Sequence, residues 1–208
     1  MRKCLTSFGY GRQADNFKLS SPRFAEYANR HRYDYHIPQL NSFDAWRVSH
    51  PDKCYAWLKL PLLSQLLCHY DVVLWIDADV VMVDGSVDIL AEASAAPMSM
   101  AVHRVAKGRH PNTGVWLLRR EAKAIIDAID IDKRIPYRLD RWYEQAALHR
   151  HFGMDLNADV LNVPHTDEWG ELPYRFNAIL KDDRGIPDDV AFVHAAGFQH
   201  VFDEAMEK

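Results

Sequence analysis

Cysteine is scarce in this 208-residue chain: Cys4, Cys54 and Cys68 are the only three, and no two form a CxxC pair. An odd count at such spacings argues against a disulfide framework or a structural zinc site and points to buried thiols in a reducing compartment. Positive charge is also short. The formal net charge is −4, so no general basic field awaits a nucleic-acid backbone, and no block of like charge forms an interaction tail. No stretch approaches the roughly 18 apolar residues that span a bilayer. The opening "MRKCLTSFGYG" lacks the apolar core of a signal peptide. These absences predict a cytoplasmic protein, or a domain cut from a longer chain. No internal repeat, low-complexity tract or linker breaks the sequence, so one domain over residues 1–208 is expected.

Apolar residues make up 48% of the chain, enough at this length for one α/β domain with a substantial core. "KCLTSF" (3–8) reads as a first strand ending in a turn at Gly9 and Gly11. "SSPRFAEYANRHR" (20–32) reads as a helix, with Ser21 as cap and Pro22 in its first turn. "YDYHI" (33–37) reads as a short strand, and residues 38–53 as loop. The apolar "CYAWLKLPLLSQLLCHY" (54–70) is helical in character, with Pro61 a kink or a new start. "DVVLWID" (71–77) is β-branched and continuously apolar, the pattern of a strand covered on both faces. Further strands are expected at 98–103, 114–120, 158–163 and 190–195, and helices at 121–130 and 139–152. This alternation favours an α/β fold with a mainly parallel sheet.

The run "VVLWIDADVVMVDG" (72–85) holds the most informative feature. Burying an uncompensated carboxylate is costly, yet Asp77 and Asp79 interrupt it two positions apart. Residues i and i+2 of an extended chain point the same way, with Cα atoms about 6.5 Å apart. Two carboxylates can then converge on one divalent cation at the carboxyl end of a core strand, where open α/β sheets bind ligands. Two chemistries use this arrangement. One is a metal-held nucleotide-sugar. The other is the phosphatase pattern DxDx(T/V), with Asp77 as nucleophile, which "IDADVV" fits; that motif usually opens a chain, whereas about 70 residues precede it here, and no later acidic pair for magnesium is evident. A third reading is a module that binds a nucleotide or sugar without chemistry. A sugar nucleotidyltransferase would need an N-terminal glycine-rich basic loop, which is missing.

Other segments fit the first chemistry. "YANRHRYDYHI" (27–37), "LPLLSQLLCHYDVVLWIDADVVM" (60–82), "NTGVWLLRR" (112–120), "WYEQAAL" (142–148), "RFNAIL" (175–180) and "FVHAAG" (192–197) occur in this order. The series resembles the galactosyltransferase/xylosyltransferase family of yeast mannan and plant galactomannan or xyloglucan enzymes, glycosyltransferase family 34, and more distantly the glycogenin-like family 8. The resemblance covers roughly residues 3–200. It implies a GT-A (Rossmann-like) fold, a central mostly parallel mixed sheet flanked by helices. It also implies a nucleotide-sugar donor, UDP-linked, a glycan or glycoprotein acceptor, and Mn²⁺ or Mg²⁺. Eukaryotic relatives carry an N-terminal anchor and stem that this chain lacks, so it looks like a minimal bacterial or viral form, or one module of a larger enzyme.

By that resemblance Asp77 contacts the donor ribose and the metal, Asp79 is a metal ligand, and His194 is the third, with Ala78 between the acids and Gly197 beside the donor. Two carboxylates and an imidazole suit Mn²⁺ better than Mg²⁺. Thr6, Ser7, Phe8 and Gly9 are placed at the nucleotide base and ribose, and Lys59 near the donor. Asn112 can bond sugar hydroxyls, Gly114 can admit the ligand to the backbone, and Asn177 can line the site. Glu144 and Gln145 match an acidic residue and a glutamine near the reactive face of the sugar in retaining relatives, on a helix capped by Asp140. In the polar loop "HTDEWGE" (165–171), Trp169 can stack on an acceptor sugar while Asp167 or Glu168 binds its hydroxyls. The resemblance implies retention of configuration; a base role for Asp155, Asp167 or Glu144 would instead give inversion.

Overall fold

Val72–Ile76 forms the strand its apolar run predicts, and all five residues are buried. The computed structural model describes residues 1–11, 13–39, 55–106, 108–129, 142–155, 166–196 and 199–207, together with 44, 48 and 164. In chain order the elements are β1 (Lys3–Thr6), α1 (Gln13–His31), β2 (Asp34–His36), a 3-10 turn (Tyr55–Leu58), α2 (Lys59–Leu67), β3 (Val72–Ile76), β4 (Val80–Met82) and α3 (Ile89–Glu92). There follow β5 (Met98–Val105), β6 (Gly108–Arg119), α4 (Ala122–Ala128), α5 (Tyr143–His151), β7 (Trp169–Leu172), a second 3-10 turn (Tyr174–Phe176), β8 (Phe192–His194) and α6 (Gln199–Met206).

Among the described residues, six strands form one sheet in the order β2-β1-β3-β6-β5-β7. β2, β1 and β3 are parallel, β6 is antiparallel to both neighbours, and β7 is parallel to β5, so β6 alone runs against the common direction. β4 and β8 make a separate antiparallel pair. Period-two alternation divides β3 between two apolar layers. Val73 and Trp75 pack with Cys4, Met100, Trp116 and Leu118 beneath Leu63 and Leu67 of α2, Ile126 of α4 and Leu148 of α5. Val72, Leu74 and Ile76 pack on the other side with Leu5, Val115, Leu117, and Phe24 and Tyr27 of α1. A third cluster joins Val81 and Val193 of the small pair to Phe202 and Ala205 of α6. This is the expected α/β architecture, a mostly parallel sheet with helices on both faces.

Several boundaries differ from the expectation. α1 starts at Gln13, so Ser21 does not cap it and Pro22 lies inside it. Its first N–H groups, of Gln13 and Ala14, donate to the carbonyls of Tyr10 and Gly11 at 3.2 and 3.0 Å. Pro22 removes the N–H that would bond the Lys18 carbonyl, a cost of about 3 kcal/mol, which burial of Ser20, Phe24, Tyr27 and Ala28 on the same helix offsets. The apolar 54–70 segment breaks into a 3-10 turn and then α2, with Pro61 in the first turn of α2, so the new start holds. Trp169 is not in an open loop. It sits in β7 opposite Met98, is 7% exposed and packs on Phe152, so it cannot stack on a sugar from there. The expected strand at 158–163, together with Asn41, Pro51, Cys54, Asp140, His165 and Gly197, lies outside the described residues.

Candidate active site

The C-terminal ends of β1, β3 and β5 and the N-terminal half of β6 meet at one edge of the sheet. There the β5–β6 ladder is interrupted: Met100 faces Trp116, but Ala101 faces Asn112 rather than Val115, so Thr113, Gly114 and Val115 have no partner on β5. Such irregularities re-aim side chains next to binding sites. The β3 side continues instead, with the Asp77 N–H donating to the Gly114 carbonyl at 2.7 Å. Asp77, Ala78 and Asp79 then turn, closed by the Val80 N–H on the Asp77 carbonyl at 3.1 Å, and β4 begins. In the small sheet Val80 pairs with His194, and the Ala195 N–H donates to the Asp79 carbonyl at 2.9 Å. Backbone pairing therefore brings the imidazole to the aspartates.

One ligand-type atom each from Asp77, Asp79 and His194 lies within 4.8 Å of the other two. His194 Nε2 is 3.4 Å from Asp79 Oδ1. Burial alone would lower the His194 pKa, but the Asp79 and Asp77 carboxylates outweigh it and hold the imidazole above its ordinary value. Asp79 Oδ2 also accepts from Gln13 Nε2 at 3.2 Å, and Asp77 Oδ1 from the Trp75 indole at 2.6 Å. Gly114 serves a different purpose from the one expected. A Cβ there would lie 2.3 Å from His194 Cε1, so it is the imidazole, rather than a ligand, that needs the missing side chain.

Lys59 links this cluster to α5. It is 3% exposed, and its Nζ lies 2.9 Å from Asp77 Oδ1 and 2.6 Å from Glu144 Oε1. The Thr113 carbonyl accepts from it at 3.3 Å, and the Trp75 ring lies 4.9 Å away. Burial would lower the Lys59 pKa, yet Asp77 and Glu144 hold it up, so it stays a cation. Glu144 is pushed up by burial, and Lys59 offsets only part of that. Thr113 fixes the neighbouring amide: its N–H donates to Gln145 Oε1 at 3.0 Å and its hydroxyl to Glu144 Oε1 at 3.1 Å.

A cleft of about 1120 Å³ opens over both clusters. Of the expected residues, Phe8, Lys59, Asp77, Ala78, Asp79, Asn112, Glu144, Gln145 and His194 line it. Asn177 stands behind His194 and reaches it by a hydrogen bond. Thr6, Ser7 and Gly9 do not line it. Thr6 and Ser7 are fully buried in the corner, and a Cβ on Gly9 would sit 2.1 Å from the Gln13 carbonyl oxygen, so Gly9 lets α1 approach β1 rather than touching a ligand.

Sequence reasoning missed several wall residues. Tyr10 and Tyr55 stack with centroids 3.4 Å apart, and both line the cleft. His103 and His110 face each other across β5 and β6, with Trp142 4.8 Å from the His110 ring. Burial pushes the His103 imidazole down to about 3, helped by His194, and lowers His110 as well, so this wall is uncharged at neutral pH. Only the cross-strand register joins these histidines; Thr113, by contrast, stood between two residues already singled out.

No protein-family model matches the chain, and no curated protein sequence does. Solved structures do resemble it. A glycosyltransferase involved in glycosylation of the major capsid of PBCV-1 superposes with a TM-score of 0.68 at 17% identity, covering 100% of this chain and 99% of that one. The galactosyltransferase LgtC, in complex with donor and acceptor sugar analogues, gives 0.56 at 11% identity over 99% and 95% of the two chains. Mouse xyloside xylosyltransferase 1 gives 0.54 at 11% identity over 93% and 97%. At such identities the likeness establishes the fold, which is that of the GT-A glycosyltransferases.

Proposed function

We propose that the chain is a metal-dependent glycosyltransferase of the family 34 type, moving a hexose or pentose from a UDP-linked sugar to a glycan or glycoprotein acceptor with retention. The observation that carries this reading is the meeting of Asp77, Asp79 and His194 in one cleft with the Lys59–Glu144–Gln145 group on its wall. Two carboxylates and one imidazole are a donor set fit for Mn²⁺ more than for Mg²⁺. When bound, such a cation neutralises the diphosphate as the sugar–oxygen bond breaks.

The chain's own residues divide the remaining work. Tyr10 and Tyr55 offer a flat aromatic face to a nucleobase at the cleft mouth. Gln145, its carbonyl tied to Thr113, turns its amide N–H groups toward the sugar. Asn112 acts as a donor only, because its side-chain oxygen already accepts from Gly114 N and Asn177 Nδ2. Lys59 stays charged and holds Asp77 and Glu144 at a fixed spacing. Retention is supported by the carboxylates present. Among the described residues lining the cleft, Asp77, Asp79 and Glu144 are the acids; Asp155 and Asp167 stand outside it, and Glu144 is held by Lys59 and Thr113 rather than offered as a base.

The test is incubation with a set of UDP-sugars with and without Mn²⁺, reading UDP release and, by NMR, the anomeric configuration of the product. Metal-dependent transfer with retention is expected. UDP binding without turnover of any donor would make the protein a binding module, and an acyl-phosphate trapped on Asp77 would make it a phosphatase.

A further inference from the structure

The cation reading leaves open how an imidazole with two equivalent-looking nitrogens is made to offer the correct one, and a chain of hydrogen bonds running out from the backbone answers it. The Gly114 N–H can only donate, and it lies 2.8 Å from the Asn112 side-chain atom assigned as Oδ1. That atom must therefore be oxygen. Asn177 meets the same oxygen at 2.9 Å, so it presents Nδ2 there. Its other side-chain atom is then Oδ1, which lies 3.0 Å from His194 Nδ1. An amide oxygen only accepts, so His194 Nδ1 carries a proton whether the ring is neutral or charged, and Nε2, on the Asp79 side of the ring, is the nitrogen left to meet a cation once its own proton has gone.

The surroundings leave this chain little freedom. Asn177 is fully buried. Its main-chain N–H donates to the Tyr174 carbonyl at 3.0 Å and its carbonyl accepts from His103 Nε2 at 2.7 Å. The His194 main-chain N–H donates to the Ala178 carbonyl at 2.8 Å, and the ring lies against Gly114 where no side chain would fit. We infer that Asn177, aligned by Asn112, is a positioning residue that fixes the tautomer and orientation of His194 so that Nε2 faces the cation shared with Asp77 and Asp79. This rests on the metal reading proposed above. Partners of a ligating histidine's second nitrogen typically change metal affinity by about 10–100-fold when removed.

The experiment is Mn²⁺ binding to the purified chain, without nucleotide, read from the EPR signal of the free ion, with thermal unfolding in EDTA as a check on folding. His194→Ala sets the floor. Asn177→Ala is expected to weaken Mn²⁺ binding by about 10–100-fold, and Asn112→Ala by roughly 10-fold. Asn112→Asp keeps the oxygen that both neighbours use, so it is expected to bind Mn²⁺ at least as tightly as the wild type. Asn112→Leu, which keeps the volume and loses the oxygen, is expected to bind as weakly as Asn112→Ala. A contribution through packing alone would leave Asn112→Leu at wild-type affinity, and that result overturns the inference. So does wild-type affinity in Asn177→Ala while His194→Ala is weak, which leaves the proposed function standing. Should Asn177→Ala fail to fold, Asn112→Leu against Asn112→Asp still decides. If the wild type binds Mn²⁺ no better than His194→Ala, the inference and the metal reading fall together.

Discussion

Asp182 and the Asp77–Asp79 pair are aspartates in sheltered positions, treated in opposite ways. Asp182 has its side chain fully buried, and the chain satisfies it completely: the N–H groups of Arg104 and Arg184 donate at 2.6 and 3.1 Å, and the Arg184 guanidinium at 2.7 and 2.8 Å. Despite burial, these bonds hold its pKa down to about 2. At the cleft, by contrast, Lys59 stands between Asp77 and Glu144, and His194 stands beside Asp79. The first site is closed by the chain's own donors; the second lines an open cleft.

Removing the shared cation should break the second site most severely. Lys59→Met leaves Glu144 buried without a counter-charge, and a loss of about 3–5 kcal/mol in denaturant unfolding is expected. Asp79→Ala should act on function instead, with sugar transfer falling by about 10²–10³-fold or more while circular dichroism shows an intact fold. Gln145→Ala should slow turnover more than it weakens donor binding, a split that steady-state kinetics and donor titration can resolve. Asp182→Asn should cost on the order of 2 kcal/mol at neutral pH, from the drop between the ordinary 3.8 and about 2. Because the folded pKa is depressed, that stability is present above about pH 4 and disappears as pH falls through about 2. The Asn variant should therefore show a flatter acid limb and unchanged transfer.

How much of this could be read in the sequence follows the same division. β3 was legible because five apolar residues run unbroken into Asp77, and the pair at 77 and 79 was legible because a carboxylate in such a run demands compensation. His194, Glu144, Gln145 and Lys59 came from the ordered resemblance, and the cleft gathers all four. The start of α1 was hidden because Ser21 and Pro22 imitate a helix start, while packing further along the helix carries the proline. Trp169 sits in a polar stretch, yet its partners, Phe152 and Met98, are distant in sequence and make it core. The His103–His110 wall and the Gly114–Asn112–Asn177–His194 chain depend on register and on a ladder interruption that no local pattern encodes. Acids in an apolar run announce themselves by being out of place, whereas the neutral groups that hold an imidazole do not.

In the function proposed, the acids at the end of β3 and the imidazole of β8 hold a cation for a diphosphate. Thermal unfolding of the wild type and His194→Ala with UDP, in Mn²⁺ and in EDTA, tests it most directly. UDP at about 100 times its Kd should stabilise the wild type by about 2.7 kcal/mol in Mn²⁺, with little effect in EDTA or in the variant. Equal stabilisation by UDP with and without the metal, or in the two proteins alike, would contradict it.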